Sequence, residues 1–307
     1  MLALTSTSVP LAQAAAPQLR TSAPGYFRMM LGEFEITALS DGTADLPVDK
    51  LLKQDPAATE QELAQSYLKL PLETSVNGYL VNTGKRLVLI DTGAGTLFGP
   101  TLGKLAANLQ ASGYRPEDVD DILITHMHPD HVGGLAANGS ALFPNAVVHA
   151  DRRDSEYWLS KANLDAAPAD SKGFFQGAMA SLQPYVSAQK FQAFDGATEF
   201  APGIRAASTY GHTPGHTSYV IESGGQRLII VGDLINVGAV QWEHPTITIG
   251  FDTDGKSALA ERLRVFNQAA KDGAMIAAAH IAFPGMGHLR PAGDGYRWIP
   301  VNYTQFH

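Results

Sequence analysis

Apolar and polar positions alternate with a period of two through residues 27–39 (FRMMLGEFEITAL) and 75–83 (SVNGYLVNT), which predicts strands with one face in a core. Between them, Thr59 and Glu62 stand at capping-box spacing and predict a helix running to Leu70. The pattern then changes to short continuous apolar runs. Residues 86–90 (RLVLI) stop at Asp91-Thr92-Gly93 and residues 121–125 (DILIT) stop at His126, as buried strands would. The segment 101–112 reads as a helix closed by Gly113, 146–150 as another strand and Asp151 as the opening of a helix, with further helical signals over 173–182. The second half repeats this outline: 218–232 (SYVIESGGQRLIIVG) echoes 78–91 (GYLVNTGKRLVLID), each a hairpin of apolar strands that runs into an aspartate. An amphipathic helix at 255–271 and a strand at 274–279 then lead into His280. Two strand-rich halves with helices between them predict an α/β fold of two sheets packed face to face with helices outside. No linker-like stretch divides the chain after residue 25, so residues 25–307 are expected to form one domain.

Composition narrows the function. Of 307 residues, 45% are apolar, enough for a large core. Against 30 Asp and Glu there are 22 Lys and Arg, a formal charge of −8 with no basic run, so the chain lacks the footprint that a phosphate backbone requires and nucleic acid is excluded as a partner. No stretch approaches the roughly 20 consecutive apolar residues of a membrane helix, and no membrane partner is expected. Cysteine is absent, which removes disulfides, a thiolate nucleophile and Cys-ligated metal, and leaves any metal site to nitrogen and oxygen donors. Residues 1–24 are rich in Ala, Ser, Thr and Pro and contain Ala-Gln-Ala-Ala-Ala, like a signal-peptide cleavage site, without a basic leader. They are expected to be a disordered N-terminus or the remnant of an export signal, so a periplasmic or secreted location stands beside a cytoplasmic one.

The densest chemistry is Thr125-His126-Met127-His128-Pro129-Asp130-His131, four potential metal ligands within six residues directly after a predicted buried strand. In an extended turn His126 and His128 point the same way, while Asp130 and His131 fall on the next turn, so one loop can serve two ions. The competing reading is a helix N-terminus capped by Asp130 with solvated histidines. Further on, His212 and His216 lie four residues apart in Gly-His-Thr-Pro-Gly-His, and spacing does not say which of them is a ligand. His149, His244, His288 and His307 have no ligand-like spacing and read as surface or satisfied core histidines.

His126 to His131 resembles the H-x-H-x-D-H signature of the metallo-β-lactamase superfamily. Asp91-Thr92-Gly93 resembles its Asp-Thr-Gly turn, His212 its third histidine, Asp233 its bridging carboxylate and His280 its last histidine. The stretches 15–26, 71–76, 173–182 and 300–303 further resemble methyl parathion hydrolases, a similarity running from about residue 14 to near the C-terminus. The resemblance implies an αββα sandwich and two divalent ions, zinc first and Mn, Co or Fe as alternatives. It puts His126, His128 and His212 on one ion, Asp130, His131 and His280 on the other, and Asp233 between them. It also implies that Asp130 and Asp233 are the catalytic carboxylates around a metal-bridging hydroxide, that Asp91 and His216 support the ligands from behind, and that the protein is a homodimer.

The same resemblance implies a pocket with aromatic walls at Phe98, Trp158 and Phe174. Four positions depart from it: Leu51, Asn236, Ile249 and Phe251 stand where those enzymes have Arg, Leu, Thr and Leu. Larger side chains at Ile249 and Phe251 narrow the pocket and favour flat lactones, such as dihydrocoumarin, and aryl esters over tetrahedral organophosphate triesters, whose turnover is expected to be promiscuous. Quorum-signal lactonases of this fold usually carry Tyr three residues after the bridging Asp, where this chain has Asn236. That weakens the rival reading of an acyl-homoserine-lactone lactonase. A glyoxalase-II-like thioesterase ranks lower because the C-terminal stretch carries few basic residues, and a non-catalytic metal-binding protein ranks last because all seven ligands are present.

Overall fold

The alternating segment at 27–39 folds into a hairpin, β1 (Tyr26–Leu31) and β2 (Phe34–Leu46), and β2 pairs along its length with β3 (Leu72–Asn82). The structure, a computed structural model, describes residues 22–303 together with 16 and 18–20. The expectation for residues 1–24 falls mostly outside these, as does His307. From β3 the chain turns into β4 (Leu87–Ile90), and β5 (Asp121–Leu123) lies parallel to β4. A two-stranded hairpin, β6 (Ala136–Ala137) and β7 (Ser140–Ala141), precedes β8 (Val147–Asp151) and β9 (Phe191–Phe194), which complete a seven-stranded sheet of order β1-β2-β3-β4-β5-β8-β9.

The second sheet also has seven strands, in chain order: β10 (Glu199–Ala201), β11 (Ile204–Ser208), β12 (Thr217–Ser223), β13 (Gln226–Ile230), β14 (Met275–Ala277), β15 (Met286–Ala292) and β16 (Gly295–Pro300). The predicted α/β architecture of two mixed sheets is the one observed. Ile36, Val81, Val88 and Ile90 from one sheet meet Ile204, Ile221, Leu228 and Ile230 from the other in a shared buried cluster. The helices Leu105–Ala111 and Lys172–Ser187 cover the first sheet and Gly255–Asp272 covers the second. Among the described residues, no helix is long and apolar enough to cross a membrane.

Two predicted helices start elsewhere. The helix assigned to Thr59 runs Pro56–Gln65 and is capped by Asp55, whose side chain accepts from Ala57 N at 2.9 Å. Thr59 sits inside it. Tyr67, at φ +58°, ends it with bonds from Tyr67 N to Ala64 O and Leu68 N to Leu63 O, a Schellman stop well before Leu70. The helix expected over 101–112 begins only at Leu105. By contrast Asp151 caps Arg152–Trp158 as read, and Gly255–Asp272 is bounded by Asp254 and by Gly273 at φ +70°.

The internal echo is structural. Tyr79 pairs with Ile90 in the β3–β4 hairpin as Tyr219 pairs with Ile230 in β12–β13, and each hairpin is followed by a strand parallel to its second arm. Both tyrosines are buried and each reaches into the opposite sheet. Tyr79 OH donates to Ala278 O (2.8 Å), two residues before His280, and Tyr219 OH donates to Ile124 O (2.7 Å), two before His126. The sheets thus hold each other's strand ends where candidate ligands emerge. Tyr219→Phe is expected to lower unfolding free energy by about 1–2 kcal/mol, since a buried carbonyl loses its donor. Urea denaturation checks this, and an unchanged midpoint would show the bond to be dispensable.

Candidate metal centre

The ends of β4, β5, β13 and β14 and the loop after β11 all open toward one place. His126 and His128 lie in the extended segment after β5, and a single helical turn, Pro129–Val132, carries Asp130 and His131. The chain therefore does enter a helix N-terminus here, yet the histidines are not solvated: His126, His128 and His131 are all buried. Two donor groups result, each with ligand atoms within 4.8 Å of one another: His126, His128, His212 and Asp233 in the first, Asp130, His131 and His280 in the second. Asp233 stands between them, 3.3 Å from His212 Nε2 and 3.1 Å from His280 Nε2 through Oδ2, and 3.2 Å from His131 Nε2 through Oδ1.

His126 Nε2, His131 Nε2 and Asp233 Oδ1 are buried without a hydrogen-bond partner. Such atoms are costly unless something satisfies them, and these three belong to the two donor groups. A pair of divalent cations fits them, and an all-N/O donor set rich in imidazole suits zinc. The field is appropriate too. Burial works against charge on His280, but Asp233 and Asp130 outweigh it and push the imidazole up to about 9. His131 is raised for the same reason, again against burial. Burial and neighbouring imidazoles hold His126 and His128 well below the ordinary histidine value, so they are neutral donors.

His131, His280 and Asp233 are oriented from behind. Asp91, at φ +58° in its turn, accepts from Thr125 N (2.8 Å) and Thr125 Oγ1 (2.7 Å), and its Oδ2 lies 2.7 Å from His131 Nδ1. His280 Nδ1 faces Ser75 O at 3.0 Å. His216 has both ring nitrogens engaged: Nε2 accepts from Asp233 N (3.1 Å) and Nδ1 lies 2.9 Å from Thr209 Oγ1, while burial pushes its pKa down to about 3. The geometry thus groups His212, rather than His216, with the donors and places His216 and Asp91 behind them.

Two positioning aspartates carry no motif and escaped sequence reasoning. Asp252 faces His212 Nδ1 at 2.9 Å and accepts from Ile249 N at 3.2 Å, so it links a ligand to a pocket wall. Asp154, fully buried, accepts from Met127 N (2.8 Å) and Gly215 N (2.7 Å) and ties the His126–His131 loop to the His212 loop; burial pushes its carboxyl up to about 6. A side chain at Gly215 would meet Asp154 N at 2.4 Å, which explains the glycine.

Beside the donors lies a cavity of about 640 Å³ bordered by His128, Asp130, Asp233 and His280. Five of the expected pocket residues line it: Phe98, Phe174, Asn236, Ile249 and Phe251. Trp158 and Leu51 stand one layer back. Trp158 packs edge-on to His128 with ring centroids 5.1 Å apart, and Leu51 packs in the cluster that contains Ile249 and Phe251. Asn236 Nδ2 donates to Asp233 Oδ2 at 3.0 Å. Among the described residues no Lys or Arg lines the cavity, whereas Asp45, Glu73, Asp130 and Asp233 do. His149, His244 and His288 are engaged elsewhere, with Asp121, Glu62 and Gly273 O.

Two sheets, strand-end donors and paired ion sites define a metal-dependent hydrolase. The metallo-beta-lactamase superfamily model matches residues 72–280, and the chain belongs to that superfamily. Among solved structures, the hydrolase AbOPH of the beta-lactamase superfamily is 37% identical with a TM-score of 0.88, covering 93% of this chain and 100% of its own. AidC, a dizinc quorum-quenching lactonase, is 27% identical with a TM-score of 0.84, covering 92% and 99%. An N-acyl homoserine lactonase from Bacillus sp. is 26% identical over 212 residues, 63% of this chain and 76% of that protein.

Dialysis against a chelator is expected to lower the melting temperature and restored zinc to recover it, because a ligand at a thousand times its Kd stabilises the native state by about 4 kcal/mol. Asp252→Ala is expected to retain one metal ion per chain where the parent retains two, read by elemental analysis after gel filtration; full retention would deny Asp252 its orienting role.

Proposed function

We propose that the protein is a binuclear metal-dependent lactonase that also cleaves aryl esters, with organophosphate triesters turned over as a weaker activity. The observation that carries this is the pairing of the seven-donor centre with a cavity that presents the aromatic rings of Phe98, Phe174 and Phe251 and, among the described residues, no Lys or Arg. Relatives named as lactonases support the lactone class. When bound, the two ions supply an activated water and a Lewis acid for the scissile carbonyl. The chain's own residues do the rest. Asp233, steadied by Asn236, faces both donor groups, and Asp130 completes the second. Phe98, Phe174 and Phe251 offer faces for an apolar ring.

Away from the donor groups the wall carries Asp45 and Glu73 and, among the described residues, no Lys or Arg, so it offers the distal part of an anionic substrate no partner. That disfavours a thioesterase acting on carboxylate-bearing thiol conjugates and favours uncharged lactones. Ile249 and Phe251, at the positions that depart from methyl parathion hydrolases, leave a planar ester better accommodated than a tetrahedral phosphotriester. The similarity to that family carries the homodimer and the triester activity, and the Ala-Gln-Ala-Ala-Ala stretch carries the exported location; light scattering tests the homodimer and N-terminal sequencing of the native protein the location.

A kinetic panel of dihydrocoumarin, N-hexanoyl homoserine lactone, phenyl acetate, an anionic thioester and methyl parathion tests the assignment. One of the lactones is expected to lead, with methyl parathion lower in kcat/KM by about tenfold or more. A higher value for methyl parathion than for both lactones and phenyl acetate would sink the reading. Asp233→Ala is expected to lose both metal retention and turnover.

A further inference from the structure

The pairing of β2 with β3 slips between Ser40 and Gly42 and leaves Asp41 as the extra residue of a bulge, a device that re-aims one side chain. The carboxylate so turned is buried, 1% exposed. Its Oδ2 accepts from Ala94 N and Gly103 N, both at 2.9 Å, and its Oδ1 accepts from Leu105 N at 3.0 Å. Asp41 O also accepts from Lys104 N at 3.0 Å. Ala94 and Gly103 are the two stems of the loop that leaves the Asp91 turn and enters the helix at Leu105, so one carboxylate closes the loop at its base. Backbone packing repeats the contact: a Cβ on Gly42, at φ +122°, would lie 2.0 Å from Thr101 O, and one on Gly93 would lie 2.3 Å from Asp41 Cγ.

Beyond the stems the loop is lightly held. Leu97 and Phe98 are 41% and 44% exposed, and a Cβ on Gly99 would meet nothing within 4 Å. On one side Phe98, Thr101 and Leu102 face the metal pocket. On the other lies a second cavity of about 440 Å³, bordered by Gly95, Thr96, Gly99 and Pro100. The loop is therefore a wall with space on both faces.

We propose that Asp41 is a specificity-determining positioning residue: by gathering both stems of the 94–103 loop on one carboxylate, it sets how closely Phe98 stands over the metal pocket and so how firmly a ring-bearing substrate is held. Asp41 touches no metal ligand and no reacting atom, and its effect reaches the substrate through the loop alone. The kinetic part of the test rests on the lactonase reading; hydrogen exchange does not.

Asp41→Asn must turn an amide N–H₂ toward backbone N–H donors and loses at least one of the three bonds. Its KM for dihydrocoumarin is expected to rise about tenfold with kcat within about threefold. Two metal ions per chain remain, and amide exchange accelerates over 94–105 only. In a Phe98→Ala background the same change is expected to alter KM by less than about twofold, because both act through one contact. Loss of metal with an equal fall in kcat for every substrate, or additive effects in the double variant, would overturn the proposal. Should Asp41→Asn fail to fold, the parent protein decides: the amides of Ala94, Gly103 and Leu105 exchange slowly while those of Phe98 and Gly99 exchange fast, and stems exchanging as fast as the tip would equally overturn it.

Discussion

Everything in this molecule is arranged around one carboxylate, Asp233, buried among the imidazoles of His126, His131, His212 and His280. Left alone, burial would raise its pKa, yet the surrounding imidazoles hold it well below the ordinary carboxylate value. No single sheet supplies that environment. His126, His128, Asp130 and His131 come from beyond the first sheet, His212, Asp233 and His280 from the second, and the aspartate belongs to both donor groups only while the sheets stay in register. The two tyrosines that cross between the sheets, each on the carbonyl two residues before a ligand, act at the point where slippage would scatter the donors.

The duplication explains how such convergence arises from ordinary parts. A hairpin followed by a parallel strand leaves two strand ends side by side, and each half of the chain contributes one such pair: Asp91 beside His126, Asp233 beside His280. The halves have diverged in use. Asp233 faces the donors directly, whereas Asp91, the aspartate that follows the matching hairpin of the first half, sits behind His131 and Thr125. One structural unit thus yields a ligand in one copy and a ligand's support in the other.

The His126–His131 cluster was legible in the sequence for a physical reason, whereas His212, Asp233 and His280 were reached through the resemblance. Metal donors are side chains of few types, and strand ends bring them together at short, fixed spacings, so His126 to His131 declares itself. The αβ alternation was legible because continuous apolar runs such as 86–90 have no other stable home. Helix starts were less so. The stretch 101–104 has helical composition but is held as loop by Asp41, 60 or so positions away in sequence, and no local window contains that bond. Likewise Phe98 and Phe174, named through the resemblance, border the cavity, while Trp158 packs behind His128 instead of lining it, a difference of depth that the resemblance does not encode.

What remained hidden shares one chemistry. Asp41 and Asp154 are buried carboxylates whose partners include backbone N–H groups, and Asp252 combines such a bond with a histidine ring. Any residue except proline presents a backbone N–H, so the partner of such an aspartate carries no sequence signature. The arrangement nonetheless suits this site. Fastening loops with arginine or lysine would put positive charge beside positions meant for two cations, and Arg262, the one fully buried arginine among the described residues, is turned to the carbonyls of Leu234, Pro245 and Ile247. Aspartates fasten the loops while leaving the local potential negative, which favours cations at the centre. The acidic balance noticed first as a bare count thus has, at these positions, a structural cause.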